Sequence, residues 1–306
     1  MNLNKKQIIQ LLQISGIGRK SLFSIMKKLT FNISGTEELR EFLKEIQTKN
    51  EKIPTLNELL SAQNKAEEIL ENCNNNEIHI LLYQELPEQL KNISDPPIIL
   101  FIKGNISLLN KGKLIAVIGT RKPTPEASIA AFEIGKILAK KNIGVVSGLA
   151  LGCDTQAHKG CLSVKGETIA VLPSSVNDIQ PVSNKNLALD ILNNNGCLIS
   201  EYLPGSIIYK NHYIERDRIQ SGLSKGIIII ETDIKGGSMH TAEFALEYGR
   251  KIACWLPLSN ISSGNNKLLK EHKAVSLKTT ENSINTFINE TIYSKITKFG
   301  QQELFT

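Results

Sequence analysis

The chain of 306 residues is 41% hydrophobic and 22% charged, a composition that indicates a globular protein with room for about two domains. Its 36 Lys and Arg residues outnumber 30 acidic residues, and the resulting charge of +6 permits an anionic partner such as nucleic acid without establishing one. No segment approaches the roughly 20 apolar residues of a membrane span, and the five scattered cysteines form no CxxC pair. We therefore expect a soluble, cytoplasmic protein with no membrane partner, no disulfide framework and no metal or other cofactor.

Residues 1–78 are predicted to form a small all-α domain of the helix-hairpin-helix or SAM-like kind. Apolar residues recur at helical spacing in "KKQIIQLLQ", "RKSLFSIMKKL", "EELREFLKEI" and "LNELLSAQNKAEEIL". Between the first two segments, "ISGIGRKS" places Gly16 and Gly18 in a turn whose amides can face a DNA phosphate. Such hairpins also serve packing alone, so a DNA contact by Gly16, Gly18 and Arg19 and a purely structural turn both stay open.

The second predicted domain covers residues 79–290 and is followed by a C-terminal tail, 291–306. The asparagine-rich "ENCNNNEIHI" marks the boundary near residue 78. From residue 113, short apolar runs such as "KLIAVIG", "IGVVSG", "TIAVLP" and "GIIIIET" alternate with helical segments. This alternation predicts a doubly wound α/β domain, with a mostly parallel sheet covered on both faces and a ligand site at the carboxyl ends of the strands.

Small, hydroxyl and basic residues follow three of the predicted strands: Gly119, Thr120 and Arg121; Ser147 and Gly148; and Gly237 and Ser238. Glycine turns let backbone N–H groups approach a ligand, and a helix N-terminus adds unpaired donors, which suits a phosphate. A tight strand-to-helix connection is the alternative for any one turn. Their convergence predicts an anion site to which Arg121 adds fixed donors. Neither GxGxxG nor GxxxxGK[ST] is present at these turns.

A second cluster, "SIIYKNHYIERDRIQSGLSKG", interleaves cations with aromatic rings: Lys210, Arg216, Arg218 and Lys225 with Tyr209, His212 and Tyr213. Single-stranded nucleic acid needs this combination, because phosphates meet the charges while unpaired bases stack on the rings. A solvated loop and helix start is the alternative.

No catalytic centre is predicted. Asp154 and His158, four residues apart in "GCDTQAHKG", could hold a metal or form a base with its orienting carboxylate. A helix cap at Asp154 and a local hydrogen bond at His158 explain the pair more simply. No nucleophile with a convincing partner appears in the sequence.

Taken in order, "IAVIGTRKPT", "VVSGLALGCDTQAHKGCL", "CLISEYLPG", "RDRIQSGLSKGIIIIET" and "GGSMHTAEFALEYGRKI" resemble the DNA-processing protein A family (DprA, also called Smf) over residues 85–280. The resemblance implies an extended Rossmann-like domain that binds single-stranded DNA and dimerises. It also implies that the protein protects incoming DNA and loads the recombinase RecA during natural transformation, without catalytic turnover. By position, Arg121 and Lys210 match DNA-contacting cations of the family, and Tyr213 matches an aromatic residue that stacks on a base.

The chain departs from the family pattern in several places. Asp217 stands where the family's Arg-Asn-Arg segment has asparagine, the 173–181 segment lacks the usual glycines and Tyr-Pro pair, and Leu258 replaces a common glycine. Because few residues follow the matched segments, we expect this chain to lack the winged-helix domain of many relatives. The alternative function is a nucleotide-binding sensor or nucleoside-monophosphate phosphoribohydrolase of the same fold superfamily, in which Glu243 and Arg121 would act on the N-glycosidic bond. A scaffold for partner proteins is a third possibility.

Overall fold

The computed structural model describes residues 3–46 and 53–293. Within them, the N-terminal region consists of helices α1 (Lys5–Leu12), α2 (Arg19–Lys28), α3 (Thr36–Ile46) and α4 (Leu56–Asn75). A capping box starts α1, where the Asn4 side chain accepts from the Gln7 amide and the Gln7 side chain accepts from the Asn4 amide, both at 2.9 Å. This pair of hydrogen bonds satisfies two amides that the helix itself leaves unpaired.

A nine-stranded sheet follows. Its strands are β1 (Ile78–Leu82), β2 (Ile99–Gly104), β3 (Leu114–Ile118), β4 (Gly144–Ser147), β5 (Thr168–Val171), β6 (Cys197–Ser200), β7 (Gly226–Ile229), β8 (Lys251–Trp255) and β9 (Val275–Leu277). They lie in the order β1-β2-β6-β5-β4-β3-β7-β8-β9. Neighbours from β6 to β9 are parallel, whereas β1 and β2 add an antiparallel edge.

The remaining described helices are α5 (Glu88–Lys91), α6 (Pro125–Lys140), α7 (Cys153–Leu162), α8 (Lys185–Asn193), α9 (Lys210–Leu223), α10 (Ser238–Glu247), α11 (Ser263–Lys270) and α12 (Glu281–Ile288). Alternate residues of β3 enter two different cores: Ile115 and Val117 pack with α6, α7 and α12, whereas Ala116 and Ile118 pack with α9, α10 and α11. Because both faces are covered, every residue of β3 is buried. The predicted doubly wound α/β fold is confirmed.

The helical region and the sheet share an apolar core. One cluster joins Ile8, Leu39 and Leu59 of the N-terminal helices to Ile80 and Phe101 of the two edge strands. The last N-terminal helix ends at residue 75 and β1 begins at residue 78. The division into domains at residue 78 stays a prediction, as does the tail, which lies mostly outside the described residues.

The five cysteines are buried and unpaired. None of the helices in the described ranges is long and apolar enough to cross a membrane.

The side of the sheet to which the chain adds strands changes at β3. Strands β4, β5 and β6 lie on one side of β3, and β7, β8 and β9 lie on the other. Loops that leave β3 and β7 at their carboxyl ends therefore diverge and open a crevice, which is where ligands bind in open α/β sheets.

Candidate nucleic-acid interface

A cavity of about 520 Å³ occupies this crevice. We call it the trough. Its walls are the loops after β3 and β7, the start of α10 and one face of α9. Lining residues are Ile118, Gly119, Thr120, Arg121, Lys122, Ala150, Asp154, Tyr213, Arg216, Asp217, Gln220, Thr232, Asp233, Gly236, Gly237, Ser238 and Thr241.

Hydrogen bonds and close packing fix the backbone of the loop after β3. The Thr120 amide donates to the Glu231 carbonyl at 2.7 Å, and the Thr124 amide donates to the Glu231 carboxylate at 2.9 Å. Gly119 must lack a side chain, because a Cβ there would lie 2.5 Å from the Cys153 sulfur. These contacts hold the backbone of the loop while leaving Arg121 exposed.

Arg121 and Tyr213 meet at the trough although 92 positions separate them in the sequence. The guanidinium carbon of Arg121 lies 4.9 Å from the centroid of the Tyr213 ring, within the range of a cation–π contact. Lys210 lies on α9 one turn before Tyr213 and is exposed. The structure thus brings a cation and a ring together at the trough, and Lys210 lies nearby at the exposed start of α9, outside the lining.

The opposite wall presents the N-terminus of α10. The first amides of a helix have no intrahelical partner, and the helix dipole adds partial positive charge. Gly237 immediately precedes the helix, and no atom lies within 4 Å of where its Cβ would be, so its surface is open to a ligand. With Ser238 beside it, this turn supplies backbone and hydroxyl donors to the trough.

The floor of the trough is a buried polar network around Arg216. The Arg216 Nη1 donates to the Val171 carbonyl at 3.0 Å, and its Nε lies 3.1 Å from the Asp217 carboxylate. With its amide turned to suit these neighbours, Gln220 donates to Asp217 at 3.1 Å and accepts from Arg216 at 3.3 Å. Asp217 therefore orients the arginine that precedes it.

Burial dominates the protonation of the two carboxyl groups at the floor. It raises the pKa of Asp217 to about 6, against the lowering effect of Arg216. Burial likewise raises the pKa of Asp154. Burial therefore favours the neutral form of both carboxyl groups, and the exposed cations stand on the walls.

Two residues that the sequence predicts to contact DNA, Ser147 and Gly148, are buried beneath the surface of the trough. Ser147 is fully buried, and its hydroxyl donates to the Val117 carbonyl at 2.7 Å. The Gly148 amide donates to the Asp154 carboxylate at 3.0 Å, and the Arg216 guanidinium covers this glycine. Neither residue presents a free donor to the trough.

Arg218, also predicted to contact DNA, does not line the trough, because its side chain enters a buried ion network. Only 1% of its surface is exposed; its guanidinium pairs with Glu201, and its Nε lies 3.6 Å from Asp95. Arg19 joins the same carboxylates, with its Nε donating to Asp95 at 2.9 Å and its Nη1 lying 3.4 Å from Glu201. We call these four residues the ion clamp. It ties α2 to α9, which favours the structural alternative for Arg19.

Lys225 lies at the amino ends of the strands, whereas the trough lies at their carboxyl ends. Its amide donates to the Leu114 carbonyl at 2.8 Å, at the start of β3. Helix α9 runs between Tyr213 and Lys225, so the two residues occupy opposite ends of the strands. This correction removes Lys225 from the candidate site.

Asp154 and His158 do not form the acid–base pair considered from sequence. Asp154 accepts from the Gly148 and Ala150 amides. The His158 Nδ1 lies 2.7 Å from the Thr168 hydroxyl, which itself donates to a carbonyl, so Nδ1 carries the hydrogen and donates. Burial lowers the pKa of His158 to about 3 and keeps the ring neutral. Within the described ranges, no group of three or more His, Cys, Asp or Glu residues could hold a metal ion.

Sequence reasoning missed several lining residues. Lys122 follows Arg121 directly and could have been found by extending that motif. Gln220 lies three positions after Asp217, a spacing that places both on one helix face. Thr232 gave no signal, because its position depends on how the loop after β7 bends.

Two departures from the family pattern lie outside the trough lining. Ser174 and Ser175 of the altered 173–181 segment are buried. Leu258 is fully exposed, and its amide donates to the Glu126 carboxylate at 2.7 Å, which fixes the loop after β8 to α6.

Comparisons with known proteins agree with this architecture. A model of the family described as "DNA recombination-mediator protein A" matches residues 77–288. The chain belongs to this family. DNA processing protein DprA of Bacillus subtilis is 40% identical to it over 169 residues, which is 55% of this chain and 57% of that relative.

Solved structures of the family share the fold. DNA processing protein A from Streptococcus pneumoniae matches with a TM-score of 0.77 and 25% identity over 94% of this chain and 98% of its own. DNA processing protein A from Helicobacter pylori, reported for its unique single-stranded DNA binding mode, matches with a TM-score of 0.62 and 31% identity over 70% of this chain and 94% of its own.

Proposed function

We propose that this protein binds single-stranded DNA without catalysis, holding the phosphate backbone in the trough. The contact between Arg121 and the Tyr213 ring, opposite the open turn at Gly237, carries the proposal. It puts a cation, an aromatic face and the open glycine turn at the start of α10 around one cavity.

The chemistry of the two walls favours a single strand over a duplex. Phosphates suit Arg121, Lys210 and the N-terminus of α10, none of which reads a base. A ring such as that of Tyr213 gains most from a base whose face is free, and paired bases already stack on each other. The DNA-contact set that we propose is Gly119, Thr120, Arg121, Lys122, Lys210, Tyr213, Gly237 and Ser238.

Arg216 has a supporting role in this proposal. It is buried, hydrogen-bonded to Val171 and ion-paired with Asp217, so it fixes the floor and the register of α9. Through α9 it sets the position of Tyr213.

The relatives support the same reading. The Helicobacter pylori protein, similar in fold and at 31% identity, is described as binding single-stranded DNA. RecA loading, protection of incoming DNA in natural transformation and a homodimer stay predictions of the family resemblance. A cytoplasmic location stays a prediction from the sequence.

The alternative, a phosphoribohydrolase, has weaker support. Glu243 lies on the exposed side of α10, 3.6 Å from the His240 ring, and is not among the described residues that line the trough. Arg121 alone offers no general acid or base for an N-glycosidic bond.

Fluorescence anisotropy of a labelled dT20 strand tests the proposal. We expect unlabelled dT20 to displace the labelled strand and millimolar AMP to leave it bound. Arg121→Ala should weaken binding about tenfold, since charge-assisted contacts contribute about 1.5–3 kcal/mol. Lys225→Ala, which removes the same charge at the other edge of the sheet, serves as the matched control. Displacement by AMP, or equal affinities for the two variants, would overturn the proposal.

A further inference from the structure

A row of three rings leads from the surface beside Lys210 into the protein. We define the aromatic row as Tyr209, His212 and Tyr202. The His212 and Tyr202 rings are stacked with centroids 3.8 Å apart, and the Tyr209 ring meets His212 in a T-shaped contact at 5.4 Å. His212 is buried, whereas Tyr209 is 58% exposed. The row therefore ends at the surface in Tyr209, whose ring packs against the buried His212 ring.

The inner end of the row is anchored. The Tyr202 hydroxyl donates to the Glu215 carboxylate at 2.9 Å. Burial lowers the pKa of His212, so its ring is neutral at pH 7 and stacks as an uncharged aromatic group. Tyr209 is the N-cap residue of α9 and has an extended backbone. A ring fixed in this way loses little conformational freedom when a ligand stacks on it.

The free end of the row faces solvent next to the trough. Tyr209 directly precedes Lys210, and Tyr213 follows one helical turn later on the trough wall. Ile207, 71% exposed, lies two residues before Tyr209. Two exposed apolar side chains beside an exposed lysine have no role in the core, and the T-shaped contact with His212 uses at most one face of the Tyr209 ring.

We propose that Tyr209 is a second base-stacking residue, which receives a base of single-stranded DNA where the strand leaves the trough past Lys210. The proposal rests on the single-strand binding proposed above and extends it from phosphates in the trough to a base outside it. Because every base has a π-face, the site accepts any base. Ile207 adds apolar surface at the edge of the stacked base.

Photocrosslinking of the wild-type protein is the first arm of the test. A dT20 strand containing 5-iododeoxyuridine is irradiated in the complex, and the adducts are mapped by mass spectrometry. We expect adducts on both Tyr209 and Tyr213. An adduct on Tyr213 without one on Tyr209 would overturn the inference while leaving the trough proposal intact.

Affinity for dT20 is the second arm. Tyr209→Ala should weaken binding about fivefold or more, in line with the loss per stacked base, and leave the salt dependence unchanged. Tyr209→Phe, which keeps the ring, should bind within about twofold of wild type. Tyr293, another exposed tyrosine, lies 5.2 Å from the Lys113 ammonium near the start of β3, so Tyr293→Ala is the control for loss of an exposed ring.

The outcomes separate the two proposals. If wild type binds and Tyr209→Ala binds equally well, the stacking role of Tyr209 is wrong and the trough proposal stands. If wild type shows no binding to dT20 at low salt, the proposed function fails and the role of Tyr209 fails with it.

Discussion

Gly148 is the position where the structure predicts the largest effect from the smallest change. A Cβ at Gly148 would lie 1.4 Å from the Arg216 Nη1 and 2.4 Å from its Cζ. Both separations are far shorter than any non-bonded contact, so Gly148→Ala requires the guanidinium to move. Arginine side chains are flexible, but this one is buried and held by Val171 and Asp217.

The magnitude follows from what the displaced guanidinium leaves behind. When the guanidinium moves, the buried Asp217 carboxylate loses its cation and the Val171 carbonyl loses its hydrogen-bond donor. Breaking a buried ion pair from one side costs about 3–5 kcal/mol. At about 2–4 °C per kcal/mol, Gly148→Ala should lower the melting temperature by roughly 10 °C.

Gly237→Ala is the matched control. Gly237 already has helical φ and ψ of −57° and −34°, and its Cβ would meet no atom within 4 Å. Its melting temperature should therefore stay close to that of wild type, while the added methyl group at the trough surface weakens binding to dT20. Calorimetric melts and anisotropy on both variants check the pair. A Gly148→Ala protein that melts within about 2 °C of wild type, a shift worth less than about 1 kcal/mol, would refute the reasoning about the buried network.

Two other substitutions address the floor of the trough and the ion clamp. Asp217→Asn removes a negative charge beneath the bound phosphates, and since such a charge is worth up to about 1 kcal/mol at 4 Å in water, dT20 affinity at pH 7.5 should rise by up to about fivefold; a fall would contradict this. Because the pKa of Asp217 in the folded protein is about 6, above its unfolded value, ionisation of the carboxyl group weakens the fold. The free energy of unfolding in urea should therefore fall for wild type relative to Asp217→Asn as the pH rises from 4 to 7. Arg19→Ala leaves Asp95 and Glu201 with one cation fewer, so unfolding free energy should drop by about 1–3 kcal/mol with dT20 affinity unchanged. A loss of affinity at unchanged stability would instead favour a DNA contact by the N-terminal hairpin.

The fold and the two walls of the trough could be predicted from the sequence. Fully apolar runs bounded by helices require a sheet covered on both faces, and parallel strands bring their carboxyl ends to one edge. Arg121 and Gly237 follow from that geometry, because each lies in a loop after such an end. Tyr213 follows instead from the cluster of cations and rings and from the family resemblance.

The depth of each side chain could not be predicted in the same way. Ser147 ends a strand as Gly119 nearly does, but its hydroxyl turns inward to a carbonyl of β3. Arg218 reads as a surface cation because its partners, Asp95 and Glu201, are distant in the sequence. Lys225 is close to Tyr213 along the chain, yet the ten residues of α9 after Tyr213 extend about 15 Å across the sheet.

The central claim is that Arg121 and Lys210 neutralise DNA phosphates at the trough. The most direct measurement is the salt dependence of dT20 affinity for wild type and for Arg121→Ala with Lys210→Ala. Each lost phosphate contact lowers the slope of log K against log salt by about 0.7 for a single strand, so the double variant should be shallower by about 1.4. Lys225→Ala with Lys251→Ala, which removes two lysines at the amino ends of β7 and β8, should keep the wild-type slope. Equal slopes for the two double variants would contradict the account.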